Sequence, residues 1–137
     1  MPGLVRFGIS IEKELSDKFD RIVKKEDYSN RSEAIRDLIR EKLVKKEWTS
    51  SKEVAGTIDL VYDHHKRDLL NNLVDIQHDH HRIIIANQHI HLDHHNCLEI
   101  IVVKGKPSEI EELANKLKAV KSVKFAQLNA ATTGKGI

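Results

Sequence analysis

With 137 residues, 23 Lys and Arg against 21 Asp and Glu, and a formal net charge of +2, the chain is too balanced for charge alone to mark a nucleic-acid binder. Its longest aliphatic run, Ile83-Ile84-Ile85-Ala86, falls far short of the roughly 20 residues that span a bilayer, and a single cysteine, Cys97, excludes an internal disulfide. No secretory signal is expected ahead of the first element, so the expected compartment is the reducing cytoplasm, where Cys97 is a free thiol or a metal ligand.

The small basic excess lies in residues 1–53, with 13 basic and 11 acidic side chains against 10 and 10 in the remainder. Residues 4–10 alternate Val5, Phe7 and Ile9 with Arg6, Gly8 and Ser10, which predicts a short strand with one buried face. Residues 12–26 put Leu15, Phe19, Ile22 and Val23 on one helical stripe. Asp27-Tyr28-Ser29 breaks that helix. A second starts near Asn30, which with Glu33 makes a capping-box-like pair, and its stripe is Ala34, Ile35, Leu38, Ile39 and Leu43. Residues 46–55 are polar and without period, so most of them read as a linker.

A strand followed by two short helices cannot bury a core alone. Dimerisation is the expected solution, with two N-terminal strands paired as an antiparallel ribbon. Val5, Phe7 and Ile9 then face the helices, and Arg6, Gly8 and Ser10 face outward. Such a ribbon fits the major groove of double-stranded DNA, where Arg6 suits a bidentate contact to guanine and Ser10 donates or accepts. Gly8 leaves at most two side chains per strand for the bases, so recognition leans on backbone contacts or DNA shape. Ser29, Asn30 and Arg31, at the start of the second helix, offer a phosphate unpaired N–H groups and fix the register. The strand together with SNRSEAIRDLIREKL resembles the ribbon-helix-helix family of repressors.

The second half predicts a strand over 55–63, a helix over 65–78, and strands over 82–92 and 96–104 joined by Asp93-His94-His95. A helix from Pro107 and a strand over 122–129 follow, leaving a frayed tail from Ala130 to Ile137. The order β-α-β-β-α-β is the ferredoxin-like pattern. The fold class is therefore α+β, a β-α-α domain over 1–48 and a βαββαβ domain over 54–132.

Seven of the nine histidines lie between His78 and His95. His89 and His91, two apart on a strand, point to one face. Cys97 returns alongside them after a short turn, so two imidazoles and a thiolate can converge on one ion. His78, ending the preceding helix, is the best candidate for a fourth ligand and is available to a neighbouring subunit. This donor set suits Zn(II), Ni(II) or Cu(II), and the ligand types alone leave the metal open. A saturated four-ligand site leaves no open position for a substrate, and no paired carboxylates or nucleophile motif accompany it, so the reading is not that of an enzyme.

The run QHDHH…HIHLDHHNCLE resembles the metal-binding core of the nickel-responsive regulator family, NikR, which joins a ribbon-helix-helix domain to an ACT-like domain. The resemblance implies one Ni(II) per subunit, held by His89, His91 and Cys97 of one chain and His78 across the interface of a homotetramer built as a dimer of dimers. It also implies a palindromic operator and repression of nickel-uptake genes, with no membrane and no small-molecule substrate as partner. Glu33 and Asp37, one turn apart, are implied as holders of a hard cation. To these we add Gln77 and Glu99 as groups that orient the imidazoles. His64, His65, His80 and His81 are candidates for secondary metal sites, while His94 and His95 read as solvated turn residues or weak extra ligands. The alternative is a ribbon-helix-helix regulator that senses another metal or a small organic ligand through the ACT-like domain.

Overall fold

A computed structural model describes residues 3–137, which divide into two compact units, Met1–Arg40 and Glu41–Ile137. In the first, helix α1 (Lys13–Lys25) stops where Asp27 turns left-handed at φ 58°. The Tyr28 N–H then reaches the Val23 carbonyl at 3.0 Å, the closing bond of a Schellman turn with Asp in the place glycine usually takes. Helix α2 (Arg31–Glu47) is capped by Asn30, whose Oδ1 accepts the Glu33 N–H at 3.0 Å. Only that half of the capping box forms, because the Glu33 carboxylate pairs with Arg36 instead of reaching back.

This unit has almost no interior of its own. No residue of α1 is buried, and Ala34 is the one buried residue of α2. Residues 3–12 form no ladder within the chain, and Leu4, Val5, Phe7 and Ile9 stand 63–86% exposed. A strand is defined by its partner, so the predicted strand over 4–10 is not present in a single copy. A ribbon made between copies leaves the segment in this condition.

The second unit is a four-stranded antiparallel sheet with two helices on one face. In chain order its elements are β1 (Val54–Asp63), α3 (Arg67–Asp79), a 3-10 turn (His81–Ile83), β2 (Ile84–His91), β3 (Asn96–Gly105), α4 (Pro107–Lys118) and β4 (Phe125–Ala130). The strand order is β2-β3-β1-β4, the ferredoxin-like arrangement expected. Alternate residues of the two central strands, Val54, Ile58, Leu60 and Tyr62 of β1 and Cys97, Ile101 and Val103 of β3, pack against Leu69 and Leu73 of α3 and Ile110, Leu113 and Leu117 of α4. The opposite face carries neither α3 nor α4. Ile90, Leu98, Val61 and Phe125 form one apolar row across all four strands there.

Three details depart from the sequence reading. First, the strand predicted over 82–92 begins at Ile84, and a bulge follows: Ile84 pairs with Val103 but Ala86 with Val102. The extra residue, Ile85, reverses the alternation, so the odd-numbered Asn87, His89 and His91 share the helix-covered face. Second, little of 46–55 is a free linker. Trp48 packs on the core, and the Thr49 and Ser50 hydroxyls donate to the Lys46 and Glu47 carbonyls at 2.8 and 2.7 Å. Gly56 is needed beneath the indole: a Cβ there would lie 2.7 Å from the Asn129 carbonyl oxygen and 3.3 Å from the Trp48 ring. Third, the tail is tied down. Ala131 N–H donates to the Ala55 carbonyl at 2.9 Å, its own carbonyl accepts from Trp48 Nε1 at 2.8 Å, and Thr132 Oγ1 donates to Glu47 at 2.9 Å. Among the described residues, no helix is long and apolar enough to cross a membrane.

Candidate metal centre and DNA-facing residues

The β2–β3 register sets His91 opposite Cys97 and His89 opposite Glu99, while β1 sets Tyr62 opposite Cys97 from the other side. Cys97 and Glu99 are each 1% exposed. Two imidazoles, a thiol, a carboxylate and a phenol therefore share one face of three adjacent strands. The hairpin that makes this register is closed by Asp93. Its Oδ1 accepts the backbone N–H groups of His95 and Asn96 at 2.8 and 2.7 Å, and its Oδ2 accepts the Asn96 amide at 2.9 Å.

The Asn96 side chain, then the two backbone N–H bonds, hold the Asp93 carboxyl down at about 2, against an ordinary 3.8. A depressed folded-state value means the carboxylate stabilises the turn fully above the ordinary value. That help is lost as pH falls through about 2. Protection of the His95 and Asn96 amides, their exchange measured against the intrinsic rate at each pH, is therefore expected to hold at pH 5 and to fall as acid is added below about pH 4. In Asp93→Ala the same amides should already have lost that protection at pH 5. Protection that is equal in both proteins would remove the turn from this role.

Glu99 organises the cluster. Its Oε1 accepts from Tyr62 Oη at 2.7 Å, and its Oε2 accepts from Gln77 Nε2 at 2.9 Å and Asn87 Nδ2 at 3.2 Å. Asn87 Nδ2 also reaches Gln77 Oε1 at 3.1 Å. Among the described residues, no buried side-chain polar atom lacks a partner. Burial, reinforced by Glu99 and Cys97, pushes the Tyr62 phenol far above its ordinary range, so it keeps its proton. That proton is committed to Glu99. At 3.3 Å from Tyr62 Oη, His89 Nδ1 is placed to donate to the phenol oxygen. Nε2 itself lies 3.6 Å from Glu99 Oε2.

The predicted ligands are brought to one region but not into one sphere. His78 lines a cleft of about 360 Å³ with His89, Gln77, Tyr62 and Glu99. The His91 ring stacks on His64, centroids 4.4 Å apart. Within one chain, His89, His91 and Cys97 do not gather their donor atoms within 4.8 Å of one another. The donor chemistry nevertheless fits a borderline transition metal. Two imidazoles and a thiol with carboxyl and amide groups behind them are what such an ion selects. Gln77 is hydrogen-bonded to Glu99 and Asn87. Tyr62 and Asn87 were not singled out from the sequence, although Asn87 sits two residues before His89 on the same face.

Elsewhere, Arg31 makes a two-pronged pair with Asp20, both contacts 2.7 Å, so a phosphate must compete with that carboxylate. The pair depresses Asp20 and raises Arg31 through the same hydrogen bond. Asp37 accepts from Tyr28 Oη at 2.7 Å and Glu33 pairs with Arg36, so both proposed cation ligands already have partners. Arg6, Gly8 and Ser10 are exposed, and nothing lies within 4 Å of a Cβ built on Gly8.

Comparison with known proteins follows the same division. Residues 5–46 match the profile of the ribbon-helix-helix protein, copG family, and residues 55–131 match the NikR C terminal nickel binding domain. A protein of Syntrophus aciditrophicus named as a nickel-responsive regulator is 56% identical over 134 residues, covering 98% of both chains. One of the same name from Pyrococcus furiosus is 50% identical over 136 residues, covering 98% of this chain and 99% of its own. Among solved structures, an uncharacterized protein from Thermotoga maritima shares the fold at a TM-score of 0.54 and 12% identity, over 59% of this chain and all of its own.

Proposed function

Because the chain belongs to the nickel-responsive regulator family, we propose that it represses nickel-uptake genes in the cytoplasm, occupying a palindromic operator when loaded with one Ni(II) per subunit. The family joins a ribbon-helix-helix DNA-binding region to a nickel-binding domain; its members are regulators of transcription and not enzymes. The observation that carries the reading is His89, His91, Cys97 and Glu99 on one face of a paired hairpin, behind an N-terminal unit that has no core of its own.

In this reading residues 1–48 dimerise and read DNA, and residues 54–132 bind nickel and assemble a homotetramer. The exposed Leu4, Val5, Phe7 and Ile9 support a ribbon between two copies, and the helix-free apolar row of the sheet supports further assembly. His89, His91 and Cys97 of one subunit and His78 of a neighbour hold the ion. When bound, nickel supplies a cross-link between donors of two chains, which favours one arrangement of the core over others. Tyr62 keeps the proton of His89 on Nδ1, and Glu99 keeps the proton of Tyr62 in place. Gln77 and Asn87 hold Glu99. On the DNA side, Arg6 and Ser10 face the groove, and Ser29, Asn30 and Arg31 meet the backbone. Glu33 and Asp37 take a hard cation once Arg36 and Tyr28 yield.

The test is selection of bound duplexes from a random DNA pool, with Ni(II), with Zn(II) and with a chelator. An inverted repeat enriched only with Ni(II) is expected. Enrichment that ignores the metal, or that lacks two half-sites, sinks the proposal. On the selected duplex, Arg6→Ala should bind about 5- to 150-fold more weakly per lost guanine contact, from about 1–3 kcal/mol each. Unchanged affinity would take Arg6 off the bases.

A further inference from the structure

Two acidic side chains of α1, one turn apart, are used differently. Asp17 takes a single contact from Lys13, 2.9 Å away on the same helix. Asp20 reaches across to Arg31, the first residue of α2: its Oδ1 accepts from Arg31 Nε and its Oδ2 from Nη2, both at 2.7 Å. A parallel two-bond pair fixes both planes and is the strong form of this contact. It also matches what a phosphate offers a guanidinium, two negatively charged oxygens side by side. One edge of the fork is thus already filled by a carboxylate of the same chain. The hydrogen bonds from Arg31 hold Asp20 below its ordinary range, so it stays ionised at neutral pH. The pair is nonetheless open to an incoming partner, the two side chains being 61% and 45% exposed.

We propose that Asp20 is a built-in phosphate mimic that restrains Arg31 and lowers the attraction of the protein to DNA of any sequence. The inference rests on the reading of Arg31 as a contact to the DNA backbone. A phosphate that arrives at Arg31 meets a charge already matched. If it displaces Asp20, one anion is exchanged for another. If it takes the free Nη1 donors instead, the Asp20 carboxylate stays beside it as a like charge. In either arrangement the contact yields less than a free arginine would give. Phosphates carry no sequence information, so the cost falls equally on operator and unrelated duplex. It matters most on unrelated DNA, whose sites outnumber an operator by about a million or more. An exposed ion pair contributes little to folding, so Asp20 can act on DNA binding without being needed for the fold.

Binding of the metal-free, full-length protein to an unrelated duplex, measured over a series of salt concentrations, tests the restraint. Asp20→Asn keeps the shape and removes the charge. It is expected to bind up to about 5-fold more tightly for each chain in contact. Its log affinity should fall more steeply with log salt, by up to about 0.9 per such chain. Asp17→Asn removes the same charge one turn away without touching Arg31, and should gain far less. Arg31→Gln should bind more weakly than the wild type, and adding Asp20→Asn to it should restore none of the loss. Unchanged affinity in Asp20→Asn overturns the restraint. Weaker binding overturns it as well, and would make Asp20 a support that aims Arg31 at the backbone. An equal gain in Asp17→Asn does the same, since net charge alone would then account for it. Wild-type affinity in Arg31→Gln would remove the restraint together with the backbone role of Arg31. A wild type that binds duplex in this way but selects no operator with Ni(II) would sink the regulatory reading and leave the restraint standing.

Discussion

Cys97→Ser is expected to abolish the thiolate-to-nickel charge-transfer band and to weaken nickel binding by more than about 100-fold. Losing a group that merely orients a ligand costs about 10- to 100-fold, and here a ligand itself is lost. Serine has the shape of cysteine, so the 1% exposed position at the head of β3 should still pack beside Tyr62 and opposite His91. What changes is the donor: a thiol gives up its proton to a metal near neutral pH and a hydroxyl does not. Nickel-dependent DNA binding should go with the band, while nickel-independent attraction to DNA, carried by the basic side chains, should stay. Absorption during a nickel titration and a mobility shift on the selected duplex read the two effects separately. A band that survives the substitution would make Cys97 a small core residue and return the metal to other donors.

Glu99 should give the second large effect, and two variants divide it. Glu99→Ala strips the acceptor from Tyr62, Gln77 and Asn87 in a site 1% exposed to solvent, and should cost about 3–5 kcal/mol in an unfolding titration. Glu99→Gln keeps the volume and should stay folded, yet still bind nickel about 10- to 100-fold more weakly. The cause is one proton. A glutamine amide facing Tyr62 donates where the carboxylate accepted. The phenol then turns its own proton toward His89 Nδ1, and the imidazole carries its proton on Nε2, where the lone pair is needed. Nitrogen-15 shifts of the His89 ring would report the exchanged tautomer directly. Wild-type nickel affinity in Glu99→Gln, with the tautomer unchanged, would reduce Glu99 to a packing role.

The element order of the second unit follows from local signals that the packing does not override. Pro107 opens α4, the apolar spacings of α3 and α4 match their buried faces, and Val54 to Tyr62 alternate along β1 as a half-buried strand should. The proposed metal cluster reads from the sequence because His89, His91 and Cys97 lie on one hairpin. Its supports were not. Tyr62 reads from the sequence as one more apolar-face residue, and meets Cys97 only through the β1–β3 register, 35 positions along the chain. The bulge at Ile85 has no glycine or proline to announce it, yet it decides which face His89 and His91 occupy. A strict alternation through Ile83 and Ile85 reaches the same face for the wrong reason, since Ile84 takes the paired position opposite Val103. Trp48 was misread because composition averages over a ten-residue stretch with seven polar side chains. One indole with one hydrogen bond is enough to anchor that stretch.

Trp48 is also the chain's only tryptophan. Its ring rests on Gly56 and its N–H is held by Ala131, so nearly all the ultraviolet emission of the molecule arises at the join between the end of α2 and the sheet. Along β1, Gly56 is six residues, about 20 Å, from Tyr62 and the proposed ligands. The protein thus carries a built-in optical gauge, distant from the proposed ligands and placed where the end of α2 is fastened to the sheet. A shift of its emission toward the red when metal or operator is added would register a loosening of that fastening, with no dye and no engineered label.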